Sequence, residues 1–111
     1  MDEVKTTNEF NKLVEVGPVV VDFFATWCGP CHALAPIFEQ VAEKNPNITF
    51  VKCNIDEAGE VASKHNISAI PCLLFFKDGH VAKSLAGIQS KDKLQEVVET
   101  IYLTSHNNEK G

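Results

Sequence analysis

Arginine is absent from the sequence, and tryptophan, tyrosine and methionine occur once each. With ten basic residues against fifteen acidic ones, the formal net charge is −5 at pH 7. Such a chain lacks the basic face that nucleic acid or an anionic membrane requires, so neither is expected as a partner. No apolar run approaches the roughly 20 residues of a membrane-spanning helix. The opening Met1-Asp2-Glu3-Val4-Lys5 shows neither the apolar stretch of a secretory leader nor an arginine-rich transit composition, and the expected location is the cytoplasm. Cysteine is sparse at four residues, and with nothing secretory beside them they do not read as a disulfide framework. Internal repeats and low-complexity segments are missing too, which leaves a single domain.

What is present has the order of an α/β protein. Hydrophobic residues make up 44% and charged residues 23% of the 111, ordinary proportions for a chain long enough to bury its own core. Thr6-Thr7-Asn8-Glu9 fits a capping box that opens a short helix with Phe10, Leu13 and Val14 on one face, stopped by Gly17-Pro18. Residues 19–25 read as a buried strand, rich in valine and phenylalanine. Leu34, Ile37, Phe38, Val41 and Ala42 then carry the period of a helix from residue 28 to about 44, in which Pro36 should produce a kink. Residues 48–55 form a second buried strand; Asp56 is placed to cap a short helix through His65, and Asn66 to leave it in the left-handed conformation. Strands at 72–77 and 80–85 make a hairpin across Asp78-Gly79, and Ser90 caps a last helix with Leu94, Val97, Val98, Ile101 and Tyr102 in one stripe. The expected domain spans residues 1–105 and leaves 106–111 as a polar, frayed tail.

Between the first strand and the long helix stands Trp27-Cys28-Gly29-Pro30-Cys31. In the first turn of a helix, backbone N–H groups lack helical partners and the dipole is positive, so a thiolate is favoured there. A free cysteine, with a pKa of about 8.5, is only roughly 3% ionised at pH 7, and a pKa near 7 raises that to about half. Three residues apart on one turn, the two sulfurs can join or part with little backbone movement. So small a loop adds little stability as a disulfide, which suits a bond that is made and broken. A structural zinc needs four ligands, and Cys53, Cys72 and the four histidines supply no second Cys-x-x-Cys and no paired histidines at zinc spacing; no metal is expected. Attack needs an exposed thiolate, so Cys28 at the tip is expected to be the nucleophile and the more enclosed Cys31 the resolving thiol. Trp27 and Pro30 either offer a flat apolar surface to a polypeptide or simply pack and form the turn. Asp22, a carboxylate in an apolar strand, is either turned toward an edge or buried at a cost that raises its pKa.

Trp-Cys-Gly-Pro-Cys after Val-Asp-Phe-Phe-Ala resembles the thioredoxin family. The similarity runs from about Phe10 to Tyr102, through Phe50-Val51-Lys52-Cys53-Asn54-Ile55-Asp56, Ile70-Pro71, Phe76-Lys77-Asp78-Gly79 and Gly87. Protein disulfide isomerases resemble it less, since they typically carry histidine where this chain has Pro30. The resemblance implies a thioredoxin fold: a central mixed sheet of about five strands flanked by four helices, with a weak strand near Val4. It implies a protein-disulfide reductase, an electron carrier of cell redox homeostasis, with Cys28 and Cys31 as the redox-active pair. No cofactor would be bound; electrons would come from NADPH through a flavin-containing thioredoxin reductase. The implied partners are that reductase and disulfide-bearing clients such as peroxiredoxins and ribonucleotide reductase, met by a monomer. Asp22 becomes a proton acceptor and donor for Cys31, tuned by Lys52. Pro71 is implied to be cis, and Trp27, Gly29, Pro30, Ile70, Pro71 and Gly87 to bind substrate.

The chain departs from the family at His32, where lysine or arginine is common, and at Cys72, where threonine is usual. His32 is either a solvated surface residue or a modulator, since histidine changes charge near neutrality. Cys72 is either a small buried hydrophobe or, if exposed, a second redox-sensitive thiol. Cys53, alternating with Val51 and Ile55, reads as core. Two other functions compete with the reductase. One is a binding module whose grip is gated by redox state; the other is an oxidant or isomerase on the same fold. Gly29-Pro30 between the cysteines resembles the reductases.

Overall fold

The structure is a computed structural model that describes residues 1–103. In chain order the elements are α1 (Thr7–Val14), β1 (Pro18–Phe24), α2 (Gly29–Lys44), β2 (Thr49–Asn54), α3 (Gly59–Lys64), β3 (Cys72–Lys77), β4 (His80–Ala86) and α4 (Lys91–Val98). A π-helical turn, Glu99–Leu103, continues α4. The tail expected at 106–111, and the domain limit at 105, lie outside the described residues.

The sheet order is β2-β1-β3-β4. β1 pairs with β2 in parallel and with β3 antiparallel, and β3 pairs antiparallel with β4, so the sheet is mixed as expected. Two central strands are buried on both sides, and the period of two sorts their side chains. Val19, Val21 and Phe23, with Cys72, Leu74 and Phe76, join Phe10 and Val14 of α1 and Val61 and Ala62 of α3 in one core. Val20, Leu73 and Phe75 point the other way and join Leu34, Phe38 and Val41 of α2 and Leu94, Val97 and Val98 of α4.

Several local signals act as the sequence indicated. Thr6 and Glu9 form a reciprocal capping box on α1, and Ser90 accepts the Lys93 N–H at the start of α4. Asp78 and Gly79 both take positive φ, 48° and 86°, the conformation of a tight hairpin turn, and Asn66 leaves α3 at φ 57°. Helix α2 runs on through Pro36. Tyr102 in the π turn donates to the Phe76 carbonyl at 2.7 Å and ties the chain's last described turn back to β3.

Two expectations need correction. The sheet has four strands, not about five: near the amino end there is one bridge, Glu3 beside Lys52, with Val4 N–H on the Lys52 carbonyl at 2.8 Å and Lys52 N–H on the Asp2 carbonyl at 3.0 Å. Only Val4 is buried in that segment, so one side chain anchors it and no longer strand forms. Nor does Asp56 cap α3. Asn54 closes the connection instead, its Oδ1 accepting Asp56 N–H at 2.9 Å and its carbonyl accepting Ala58 N–H at 2.8 Å. The helix starts three residues beyond Asp56, behind Ala58, which has no side-chain cap to offer.

Candidate active site

The carboxyl ends of parallel strands β1 and β2 open on the same edge of the sheet, where α/β folds gather their functional loops. From β1 the chain passes through Ala25, Thr26 and Trp27 into α2. Cys28 is the N-cap of α2 and Gly29 its first residue, so one cysteine precedes the helix and Cys31 lies in its first turn. The two form a disulfide with Cα atoms 5.3 Å apart. The Cys28 sulfur stands where a capping oxygen would, and accepts the Cys31 N–H at 3.2 Å. Phe24 and Ala25, with Ile55 and Ile70 from neighbouring loops, pack around the pair.

As residues of the closed disulfide the two are buried alike, Cys28 5% exposed and Cys31 4%. The hydrogen bond does separate them, since only Cys28 receives the helix-terminal N–H. The loop between β1 and α2 is further held by Cys28 N–H on the Ala25 carbonyl at 3.2 Å, and His32 N–H on the Cys28 carbonyl at 3.3 Å. His32 is itself exposed, with its ring Nε2 2.7 Å from the Thr26 carbonyl oxygen.

Around the disulfide lies an accessible rim. Trp27 is 69% exposed, and its indole N–H donates to Asp56 Oδ2 at 2.9 Å. Gly29 and Pro30 are exposed on the first turn of α2. Across from them the Ile70–Pro71 peptide is cis, as the resemblance implied, and Pro71 is buried. Gly87 N–H donates to the Pro71 carbonyl at 2.8 Å, which joins the two loops. Gly87 has φ 86°, left-handed backbone that glycine adopts without a steric penalty.

Asp22 lies in the central strand β1 and is fully buried, which disposes of the edge-facing reading. Neither carboxylate oxygen has a hydrogen-bond partner among the described residues. Removal from water disfavours the charged form, and the carboxyl is pushed up from an ordinary 3.8 to about 6, with the Lys52 ammonium pulling the other way. Lys52 is the residue directly beside Asp22 on β2, and its Nζ sits 4.5 Å from the centroid of the Phe24 ring. The structure therefore packs Ile70 against buried Cys28 and Cys31, sets Trp27, Gly29 and Pro30 exposed beside them, joins Gly87 to Pro71, and pairs Asp22 with Lys52 across β1 and β2.

Cys72 directly follows Pro71 and opens β3. It lies opposite Phe23 on β3, Cys53 lies opposite Phe23 on β2, and both belong to the core under α1 and α3. Burial pushes the Cys53 thiol up to about 11, helped by Glu3; burial, with the Asp22 charge, raises the Cys72 thiol against a weak contact with the Ser84 hydroxyl at 3.8 Å. Sequence reasoning overlooked Asp56, Ile55 and Thr26 as members of the site. The signal for Asp56 was there: it stands two residues beyond a parallel strand that ends beside the one leading into the cysteine pair.

Among the described residues no group of three or more His, Cys, Asp or Glu side chains could hold a metal ion, and no helix is long and apolar enough to cross a membrane. A cysteine pair bridged at a helix start, beside an apolar rim, defines a dithiol–disulfide oxidoreductase of α/β architecture. Comparison with known proteins narrows that class. The family model described as Thioredoxin matches residues 2–100. The thioredoxin of Mycoplasmoides gallisepticum is 41% identical over 100 residues, covering 89% of this chain and all of its own length. Thioredoxin-1 of Saccharomyces cerevisiae is 44% identical over 86 residues, covering 77% of this chain and 84% of its own. The solved structure of Plasmodium falciparum thioredoxin superposes with a TM-score of 0.85 at 33% identity, over 90% of this chain and 98% of that one. The chain belongs to the thioredoxin family, and its activity is that of a protein-disulfide reductase.

Proposed function

We propose that Cys28 is the nucleophile and Cys31 the resolving thiol of this reductase. The observation that supports it best is the Cys31 N–H aimed at the Cys28 sulfur at 3.2 Å, because a donor fixed on one sulfur lowers the pKa of that thiol. In the reduced protein the Cys28 thiolate attacks one sulfur of a client disulfide. A mixed disulfide forms on Cys28, and the other client sulfur leaves as a thiolate that takes up a proton. Cys31 then gives up its proton and attacks Cys28, so the client's second thiol is released and the Cys28–Cys31 disulfide closes. Two electrons have passed to the client. Asp22 is the acceptor of the Cys31 proton, acting through water, and Lys52 tunes it; a carboxyl titrating near 6 can hold or release a proton close to neutrality.

Trp27, Gly29, Pro30, Ile70, Pro71 and Gly87 form the surface on which the client lies, with its chain extended along Ile70 in the manner of an added strand. The electrons come from NADPH through the flavin of a thioredoxin reductase, so both cofactors belong to that partner. Peroxiredoxins and ribonucleotide reductase are the proposed clients, the protein acts as a monomer, and its place is the cytoplasm. These last points rest on family membership.

The test is substitution of each cysteine by serine, followed by exposure to a disulfide-bearing client. Cys31→Ser is expected to stop after the first step and hold the client on Cys28, visible as a mixed disulfide on a non-reducing gel. Cys28→Ser is expected to trap nothing; a stable adduct through Cys31 would reverse the assignment. The potential of the couple separates reductase from the other chemistry, with about −270 mV expected and about −180 to −120 mV marking an isomerase or oxidant.

A further inference from the structure

His32 takes no part in those exchange steps, yet its side chain makes the shortest hydrogen bond in the loop that carries Cys28. Its Nε2 is 2.7 Å from the Thr26 carbonyl, against 2.9 Å for Trp27 on Asp56 and 3.2 Å for Cys28 on Ala25. A carbonyl only accepts, so Nε2 carries the hydrogen. Through its main chain the same residue also reaches the Cys28 carbonyl at 3.3 Å. His32 thus grips the residues on either side of exposed Trp27.

The position of this grip matters because the helix is weak there. Pro36 has no N–H to donate to the His32 carbonyl, so the ladder of α2 lacks the bond that would tie residue 32 forward. Thr26 and Trp27 belong to neither β1 nor α2 and are both exposed.

We propose that His32 is a positioning residue: its imidazole Nε2–H clamps the Thr26 carbonyl to the first turn of α2 and so keeps the Cys28 sulfur under the Cys31 N–H. This rests on the reading of Cys28 as the nucleophile. The clamp differs from an effect of ring charge. Nε2 bears a hydrogen in both the neutral tautomer and the imidazolium, so the hydrogen bond does not depend on ring charge. His32 makes no ion pair either, the one among the described residues being Lys93–Glu96.

The experiment is alkylation of the reduced protein by iodoacetamide as a function of pH, with the modified cysteine identified by peptide mass spectrometry. Wild type is compared with His32→Leu, His32→Gln and His32→Lys, and guanidinium unfolding is recorded for each. His32→Leu is expected to slow Cys28 alkylation at pH 7 by about threefold to tenfold, the worth of one hydrogen bond, and to move the rate–pH midpoint upward. His32→Gln, whose amide can reach the same carbonyl, is expected to stay within about twofold of wild type. Equal rates in wild type and His32→Leu would overturn the proposal. So would rescue by His32→Lys without rescue by His32→Gln, since charge would then be the active property. A slowing that follows a general loss of stability and is shared by His32→Gln would overturn it as well. Preferential alkylation of Cys31 in the wild type would instead overturn the assignment of the nucleophile.

Discussion

Replacing Asp22 with asparagine should change how the stability of the protein depends on pH, in a direction opposite to that of most aspartates. In the unfolded chain this carboxyl loses its proton near 3.8; in the folded protein it does so at about 6. Between those values the folded state holds a proton that the unfolded state has released, so stability falls as pH rises through the window and levels off above it. A gap of about 2 pH units, at about 1.4 kcal/mol each, gives a loss of ~3 kcal/mol that is complete by neutral pH. The magnitude is credible because the side chain is fully buried and neither oxygen has a protein partner among the described residues. Asparagine cannot ionise and escapes the loss. The assay is guanidinium unfolding of the oxidised wild type and Asp22→Asn between pH 3.5 and 7.5, followed by fluorescence of Trp27, with other titrating groups cancelling in the difference. For a slope of about 3 kcal/mol per molar, the two midpoints should diverge by about 1 M across that range. Midpoints that stay parallel would refute the reasoning and mean that the carboxylate is solvated in the fold as well as it is in water.

Three further outcomes follow from the same contacts. Lys52→Met removes the favourable charge acting on Asp22, so the folded carboxyl should titrate above 6; carboxyl NMR of the variant checks this, and an unmoved midpoint would sever the pair. In the native reduced protein at pH 8, Cys53 and Cys72 should react with a chromogenic disulfide at least about tenfold more slowly than Cys28, since their thiols are raised while the Cys28 sulfur receives the Cys31 N–H; all should react alike in denaturant. Gly87→Ala should cost about 1–2 kcal/mol, from its φ of 86° and not from crowding, as an added Cβ would meet no atom within 4 Å. A cost below about 0.5 kcal/mol, measured by chemical unfolding, would mean the loop relaxes into ordinary backbone.

The elements that could be read from the sequence are those whose causes are local. Thr6 and Glu9 satisfy each other's turn, Asp78-Gly79 has the one pair of φ values a tight hairpin accepts, and the alternation in β1 and β3 matches two covered faces. Reading failed where a polar side chain had two places to go. Asp56 could cap a helix by sequence distance, but the Trp27 indole, 29 residues away, binds its carboxylate, while Asn54 takes over the turn. The apolar cup around both cysteines was likewise out of reach of local signals, since it includes Ile55 and Ile70 from distant loops.

By itself the sequence determined the order of helices and strands, the mixed sheet, and a cysteine pair placed where a helix begins, since caps, turns and periodicity act over a few residues. Its close likeness to one family extended that to an activity. Only the tertiary structure decided that Asp22 is buried beside Lys52 without a hydrogen-bond partner among the described residues, and that Cys53 and Cys72 flank Phe23 from the two neighbouring strands. It alone decided that the Cys28 sulfur, and not that of Cys31, receives the helix-terminal N–H. Desolvation and hydrogen-bond direction depend on everything that surrounds a group, and those surroundings exist only once the sheet has assembled.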